Sequence, residues 1–216
     1  MYQLFDMRPP MRIALFLGLT GIGMIAGALI SFSLVAALLH IPFADMQKVL
    51  LQPEYASMAQ LANALASIIA FGLPSIVLAV MAKENWYNHL GFTAVKSYQQ
   101  IGIVILLALT GLVLSGALGS LTEKIPIPTN FKNWAEDLEA QYKKAMLSMT
   151  HMNSLMDLAY AIVAVAIIPS IIEEVYFRGT LQKIITDWSG KPFLAIVITA
   201  ILFSAFHFSY FGFLSR

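Results

Sequence analysis

The amino-acid sequence predicts an all-α fold: a polytopic transmembrane helix bundle of about five spans plus one interfacial amphipathic helix, forming a single integral-membrane domain over residues 1–216. Three observations predict it. Of the 216 residues, 59% are hydrophobic and only 12% are charged, whereas soluble domains run near 25% charged. Mean hydropathy is +0.76. The few charges are also segregated: residues 13–39, 61–82, 101–122 and 192–214 carry none, and each run has about the 20-residue length that a membrane helix needs. A water-soluble globule is thereby excluded. So is a disordered chain, which requires low hydrophobicity and high net charge. A net charge of +1, with no basic run longer than Lys143-Lys144, leaves no footprint for nucleic acid. The absence of cysteine removes disulfides, thiolate metal sites and cysteine nucleophiles together.

The first span, about 12–39, is too long for the apolar region of a secretory signal and is followed by further spans, so it reads as a retained helix. Gly23 and Gly27 form a GxxxG pair in it, with Gly18 and Gly21 before them, a ridge on which helix backbones approach closely. Residues 40–60 read as a loop holding a short interfacial helix. The second span covers about 61–82, where Pro74 frees the carbonyl of Ala70 and should kink the helix. Residues 83–100 set Trp86, Tyr87 and Tyr98 beside lysines, the composition of a membrane boundary. The third span, about 101–121, carries a second small-residue ridge at Gly111, Ser115 and Gly119.

The longest connection, 123–154, opens on Pro126 and Pro128, which exclude a helix there. An interfacial amphipathic helix follows at about 133–149, with Asn133 and Glu136 as a capping box. Its apolar stripe is Trp134, Leu138, Tyr142, Ala145 and Met149, and Glu139 precedes Lys143 by four residues. The fourth span, about 155–178, reaches full length only if the helix runs on through the charges after residue 172. Pro169 should free the carbonyl of Val165 within it. A turn around Ser189-Gly190-Lys191-Pro192 leads to the fifth span, about 192–214. Asn63 and Asp157 read as caps or boundary residues, and His40, His89 and His151 as loop residues.

Counting Lys and Arg in alternate loops places Arg8, Arg12, Lys83, Lys96, Arg178, Lys183 and Lys191 on one side, and Lys48, Lys124, Lys132, Lys143, Lys144 and Arg216 on the other. Four acids buffer the long connection, so the shorter loops favour the first side as cytoplasmic.

The chemistry concentrates in residues 166–211. Glu173, Glu174 and Arg178 continue an apolar helix without a loop signal until Gly179. Each ionisable group deep in a membrane helix costs about 2.5–3.5 kcal/mol on insertion scales, so partners are required. Glu174 and Arg178 stand at i and i+4 with the acid first, the favoured order for an ion pair. One arginine cannot neutralise two carboxylates, and a crowded, partly desolvated carboxylate suits a general base. The second polar intrusion is His207, with Phe203 four residues before it on the same face. The short turn between the two helices makes them antiparallel neighbours, which would bring Glu173 and His207 to similar depth. Taken singly, each group has a plainer reading as a cap, a snorkelling arginine or a structural histidine. Their combination favours a site.

Glu173-Glu174-Val-Tyr-Phe-Arg178 and Phe203-Ser-Ala-Phe-His207 resemble the EExxxR and FxxxH motifs of the CAAX protease and bacteriocin-processing (CPBP, or Abi) family of membrane proteins. The resemblance implies an intramembrane endopeptidase in which Glu173 and His207 activate a water for attack on a peptide carbonyl. Glu174, Arg178 and Phe203 would support them. Substrates would be membrane-associated peptides or proteins, as in the prenylated CAAX proteins that eukaryotic members trim. The implied partners are membrane lipid and that substrate, with no nucleic acid. The implied location is a cell membrane, most naturally the bacterial inner membrane. Carboxylate and imidazole could ligate zinc, but the family's chemistry implies no cofactor and no metal. One departure stands out: the family's later HxxxN or HxxxD motif, linked to oxyanion stabilisation, is not found, which suggests a chain truncated before it and leaves the activity of this chain alone in question. The alternative from another class is a non-catalytic protein of bacteriocin-immunity or scaffold type that binds a peptide or partner in the same cavity.

Overall fold

A computed structural model of the chain describes residues 7–82 and 85–216. Lys83, which entered the charge count above, lies outside them. Among the described residues there are helices and turns but no strand. Four helices among them are long and apolar enough to cross a membrane: α1 (Pro9–Leu39), α2 (Pro53–Met81), α3 (Tyr98–Thr122) and α5 (Leu155–Ser189). Between the last two lies the amphipathic helix α4 (Thr129–Met149), and after α5 comes a short apolar helix, α6 (Pro192–Ala205).

Local chemistry accounts for most boundaries. Proline opens α1, where no amide donor is needed, and the helix ends on His40 in the left-handed conformation (φ 55°). Helix α2 begins at Pro53, ahead of the expected start, so Asn63 lies well inside it and caps nothing. Likewise α4 begins at Thr129, which puts Asn133 in its interior rather than at a capping box. Ser154 caps α5: its Oγ accepts from the Asp157 amide at 3.1 Å, while the Asp157 carboxylate accepts from the Asn153 amide at 3.0 Å. That reciprocal pair satisfies one amide that the helix start leaves unbonded, that of Asp157, and ties the preceding residue to the first turn. Gly190, at φ 64°, makes the expected turn between α5 and α6.

The expected proline effects appear as widened turns. A π segment at Ile68–Gly72 sits just before Pro74, and another at Ile162–Ile167 just before Pro169. Each absorbs the carbonyl that proline cannot bond, without opening the helix. Lipid offers no water to an unpaired backbone group, so a helix crossing it must stay closed. Helix α5 accordingly runs unbroken for 35 residues, through the charged motif and past Gly179. That glycine ends nothing. A Cβ placed on it would come within 2.6 Å of the Leu90 carbonyl oxygen, so its bare backbone is what admits the neighbouring chain.

The fifth expected span is shorter than the sequence suggested. Helix α6 has 14 residues, about 21 Å at 1.5 Å per residue, less than the roughly 30 Å hydrocarbon core. Beyond its end the amides bond three residues back, His207 to Ser204 and Phe208 to Ala205, and Phe208 turns left-handed at φ 49°. The apolar run to residue 214 therefore continues as turns rather than helix.

The chain divides into two compact units, Met1–Gly91 with Lys144–Ala195, and Phe92–Lys143 with Ile196–Arg216. In the first, the GxxxG pair faces α2: a Cβ on Gly23 would lie 2.8 Å from the Ile69 carbonyl oxygen, and one on Gly27 3.0 Å from that of Ala66. Beside this seam Val35, Ala36, Met46, Leu50, Ala59 and Ala62 form a buried cluster. In the second unit, nearly all of α3 is exposed, with Thr122 its one buried residue. The expected ridge at Gly111, Ser115 and Gly119 is not a helix seam: nothing lies within 4 Å of a Cβ built on Gly111. Ser115 instead donates to the Ser215 carbonyl at 2.6 Å.

These two classes of glycine should respond differently to substitution. Gly23→Ala forces a methyl group against backbone and should lower stability by about 1–3 kcal/mol. Gly18→Ala, with nothing within 4 Å, should be neutral or stabilise by up to about 1 kcal/mol. Thermal unfolding in detergent checks the pair, and equal effects would refute the packing assigned to Gly23.

Candidate functional site

The carboxylate pair straddles a change of helix type: Glu173 ends an α-helical turn and Glu174 opens a third π segment, Glu174–Leu181. No proline causes this widening. The Thr180 hydroxyl donates to the Val175 carbonyl five residues back at 3.0 Å, bonding a carbonyl inside the wide turn. Such bulges recur at functional sites. Measured from Leu155 at 1.5 Å per residue, Glu173 lies about 27 Å along the helix, nearer the far boundary of a hydrocarbon core than its midplane.

The expected ion pair forms: Arg178 Nη1 is 3.4 Å from Glu174 Oε1, with side chains 43% and 62% exposed. A pair this open contributes at most about 1 kcal/mol in water. Its orientation comes instead from the residue between them. Tyr176 is fully buried, its ring 4.6 Å from Phe16, 4.9 Å from Phe71 and 4.8 Å from Phe177 between centroids. The Thr20 hydroxyl donates to the Phe16 carbonyl at 2.8 Å, so its oxygen accepts from the Tyr176 hydroxyl at 3.1 Å. Tyr176 thus nails the motif to α1 and α2, and Glu173, half-buried, is carried with it. Sequence reading missed this role. The signal was there in two polar tips, Thr20 and Tyr176, set in apolar runs.

A second polar tie joins the same helices. Arg12 is nine-tenths buried, with Nη1 3.4 Å from Asp187 Oδ2 and Nε donating to the Met7 carbonyl at 3.1 Å. His89, expected in a loop, is buried at the end of the helical turn Trp86–His89, and Lys183 Nζ donates to its Nδ1 at 3.2 Å.

Phe203 and His207 fall in the second unit, Glu173, Glu174 and Arg178 in the first. His207 follows the end of α6 rather than lying within a helix. Its ring caps that end: Nδ1 is 2.9 Å from the Phe203 carbonyl oxygen, while the His207 amide bonds the Ser204 carbonyl. A carbonyl only accepts, so Nδ1 carries a proton, and in the neutral ring Nε2 is then the acceptor nitrogen. The Phe203 ring meets the imidazole edge-on at 4.8 Å, on the shared face expected. Beside this turn the second unit holds an apolar cavity of about 500 Å³, walled in part by Trp134, Leu138, Phe208, Tyr210 and Phe213.

Trp134 is 62% exposed, while Ala135 and Glu139 are buried. Glu139 keeps the expected partner Lys143 at 3.8 Å, and its Oε2 also accepts from Ser209 Oγ at 2.8 Å. Within each unit, no three His, Asp or Glu side chains among the described residues gather as a metal site would.

Among the described residues, four long apolar helices, a carboxylate pair with its arginine on the fourth and a histidine on a following segment define an all-α membrane protein. Residues 155–215 match the family model described as type II CAAX prenyl endopeptidase Rce1-like. That is the family which the two motifs resemble, and both lie inside the matched segment, which is under a third of the chain. Over those residues the chain is similar to that family of membrane endopeptidases. No curated protein and no solved structure matches the chain.

The Tyr176 anchor is directly testable. Tyr176→Phe and Thr20→Val should each lower stability by about 0.5–1.5 kcal/mol, and the double variant should cost little more than either alone. Full additivity in thermal unfolding would show that the two hydroxyls do not share a bond.

Proposed function

We propose that the protein is a membrane-embedded endopeptidase that hydrolyses a peptide bond of a membrane-associated peptide or protein. The observation that carries this reading is the family match over residues 155–215, which contains the carboxylate pair and the histidine in the family's order. In the reaction, Glu173 takes a proton from a water as the water oxygen bonds to the scissile carbonyl carbon. The carbonyl π electrons move to oxygen. When they return, the C–N bond breaks and the amine leaves with the proton that Glu173 held. His207 assists by accepting a hydrogen bond from the same water at Nε2, a role its Nδ1 bond to Phe203 favours. Glu174 and Arg178 support the site as the ion pair across the start of the π segment, and an apolar cavity like that beside His207 suits the hydrophobic portion of a lipid-borne substrate. Glu173, Glu174 and His207 have donor chemistry that zinc accepts, but the proposed reaction uses none. The reading places the chain in a cell membrane, that of a bacterium being the natural setting, with lipid and the substrate as its partners.

The full-length protein, reconstituted in lipid with a farnesylated peptide ending in a CAAX sequence and with unmodified membrane-anchored peptides, should cleave at least one of them. Glu173→Ala and His207→Ala should each reduce the rate by about 10²-fold or more while the protein stays folded. Retained activity in both would remove the site assignment. Function persisting without Glu173 would instead favour a non-catalytic binding protein.

A further inference from the structure

Glu139, which the sequence pairs with Lys143 on the amphipathic helix, is turned inward in the structure. It is 8% exposed, and Ser209, whose hydroxyl it accepts at 2.8 Å, is 5% exposed. Ser209 Oγ is committed twice, donating to Glu139 and accepting from the Gly212 amide at 3.0 Å. It therefore locks the turn that follows α6 to the body of α4. One residue earlier, Phe208 holds a left-handed backbone at φ 49°, a conformation that a bulky aromatic side chain adopts only when its surroundings enforce it. One residue earlier again is His207, whose ring caps the Phe203 carbonyl while its own amide bonds the Ser204 carbonyl. The clamp, the strained residue and the imidazole are thus consecutive links along three positions of chain, Ser209, Phe208 and His207.

We propose that Glu139 is a positioning residue for His207: through Ser209 it holds the left-handed turn at Phe208 and so keeps the imidazole in one tautomer, protonated at Nδ1 with Nε2 as acceptor. Its relevance to catalysis rests on the proposed function, but the positioning does not. The Lys143 partner is dispensable, since that pair spans 3.8 Å with Lys143 69% exposed and is screened by solvent. The hydrogen bond to Ser209 is what matters, and a neutral side-chain carbonyl at position 139 can accept it equally well.

The full chain, labelled with ¹⁵N-histidine and held in lipid nanodiscs, reports the tautomer directly, with His207 assigned by its loss in His207→Ala. The wild type should give the single Nδ1-protonated pattern. Glu139→Ala and Ser209→Ala should shift it toward an average of the two tautomers, whereas Glu139→Gln and Lys143→Ala should keep it. An unchanged pattern in Glu139→Ala and Ser209→Ala overturns the proposal, as does a loss in Glu139→Gln as large as in Glu139→Ala. A role in packing alone would lower thermal stability without moving these signals. On the farnesylated peptide, Glu139→Ala should lower kcat about tenfold with KM within about twofold, and Glu139→Gln should restore it. If Glu173→Ala leaves cleavage intact, the endopeptidase reading fails while the histidine spectra still decide the clamp.

Discussion

The burial of Tyr176 is the interaction on which the first unit depends. Its ring fills the space between Phe16 and Phe71, and its hydroxyl finds Thr20 where no water is at hand. A buried phenol without a partner would cost about 1–3 kcal/mol, so α1 must present a polar atom at that depth. Because Tyr176 stands between Glu174 and Arg178, fixing it fixes the rotation of the whole motif. The charged groups can then remain at the surface of the unit, their direction set by an apolar contact rather than by their own weak ion pair.

Helix continuity is the companion constraint. Lipid forbids open backbone bonds, so α5 cannot break where proline or the charged motif interrupts its pattern. It widens instead, once before Pro169 and again across the motif. The second widening has no proline and depends on Thr180 bonding back to Val175 and on Gly179 yielding space to Leu90. An α-helix bulged at that point projects its side chains on a different angular spacing from a regular one, which alters what Glu173 and Glu174 face without any loop.

At the end of α6 the same economy serves the histidine. A helix terminus leaves carbonyls unsatisfied, and His207 supplies the missing donor from its own ring. The bond that completes the helix also assigns the imidazole proton. A structural cap and a defined acceptor nitrogen are therefore one arrangement, stabilised from the side by Ser209 and Glu139.

Much of this was legible in the residues. Charge-free runs named the solvent and placed four long helices to within a few residues, save for the earlier start of α2 and the longer run of α5, because both burial in lipid and helical hydrogen bonding are local requirements. The Glu-Glu-x-x-x-Arg and Phe-x-x-x-His patterns were visible for the same reason: their spacings are those of a single helix face. Contacts between distant segments were not legible. Gly23 and Gly111 look alike in sequence, yet only Gly23 meets another backbone. Glu139 looks like a solvated charge until Ser209, 70 residues away, comes within 2.8 Å. The apolar run after Ala205 has helical composition, and only the turn at Phe208 and its tertiary anchor end the helix there. The sequence by itself determined the solvent, the helices and the chemistry carried along one face. Tertiary structure decided which faces meet, because that choice depends on the shape and hydrogen-bonding groups of a partner segment that no local pattern contains.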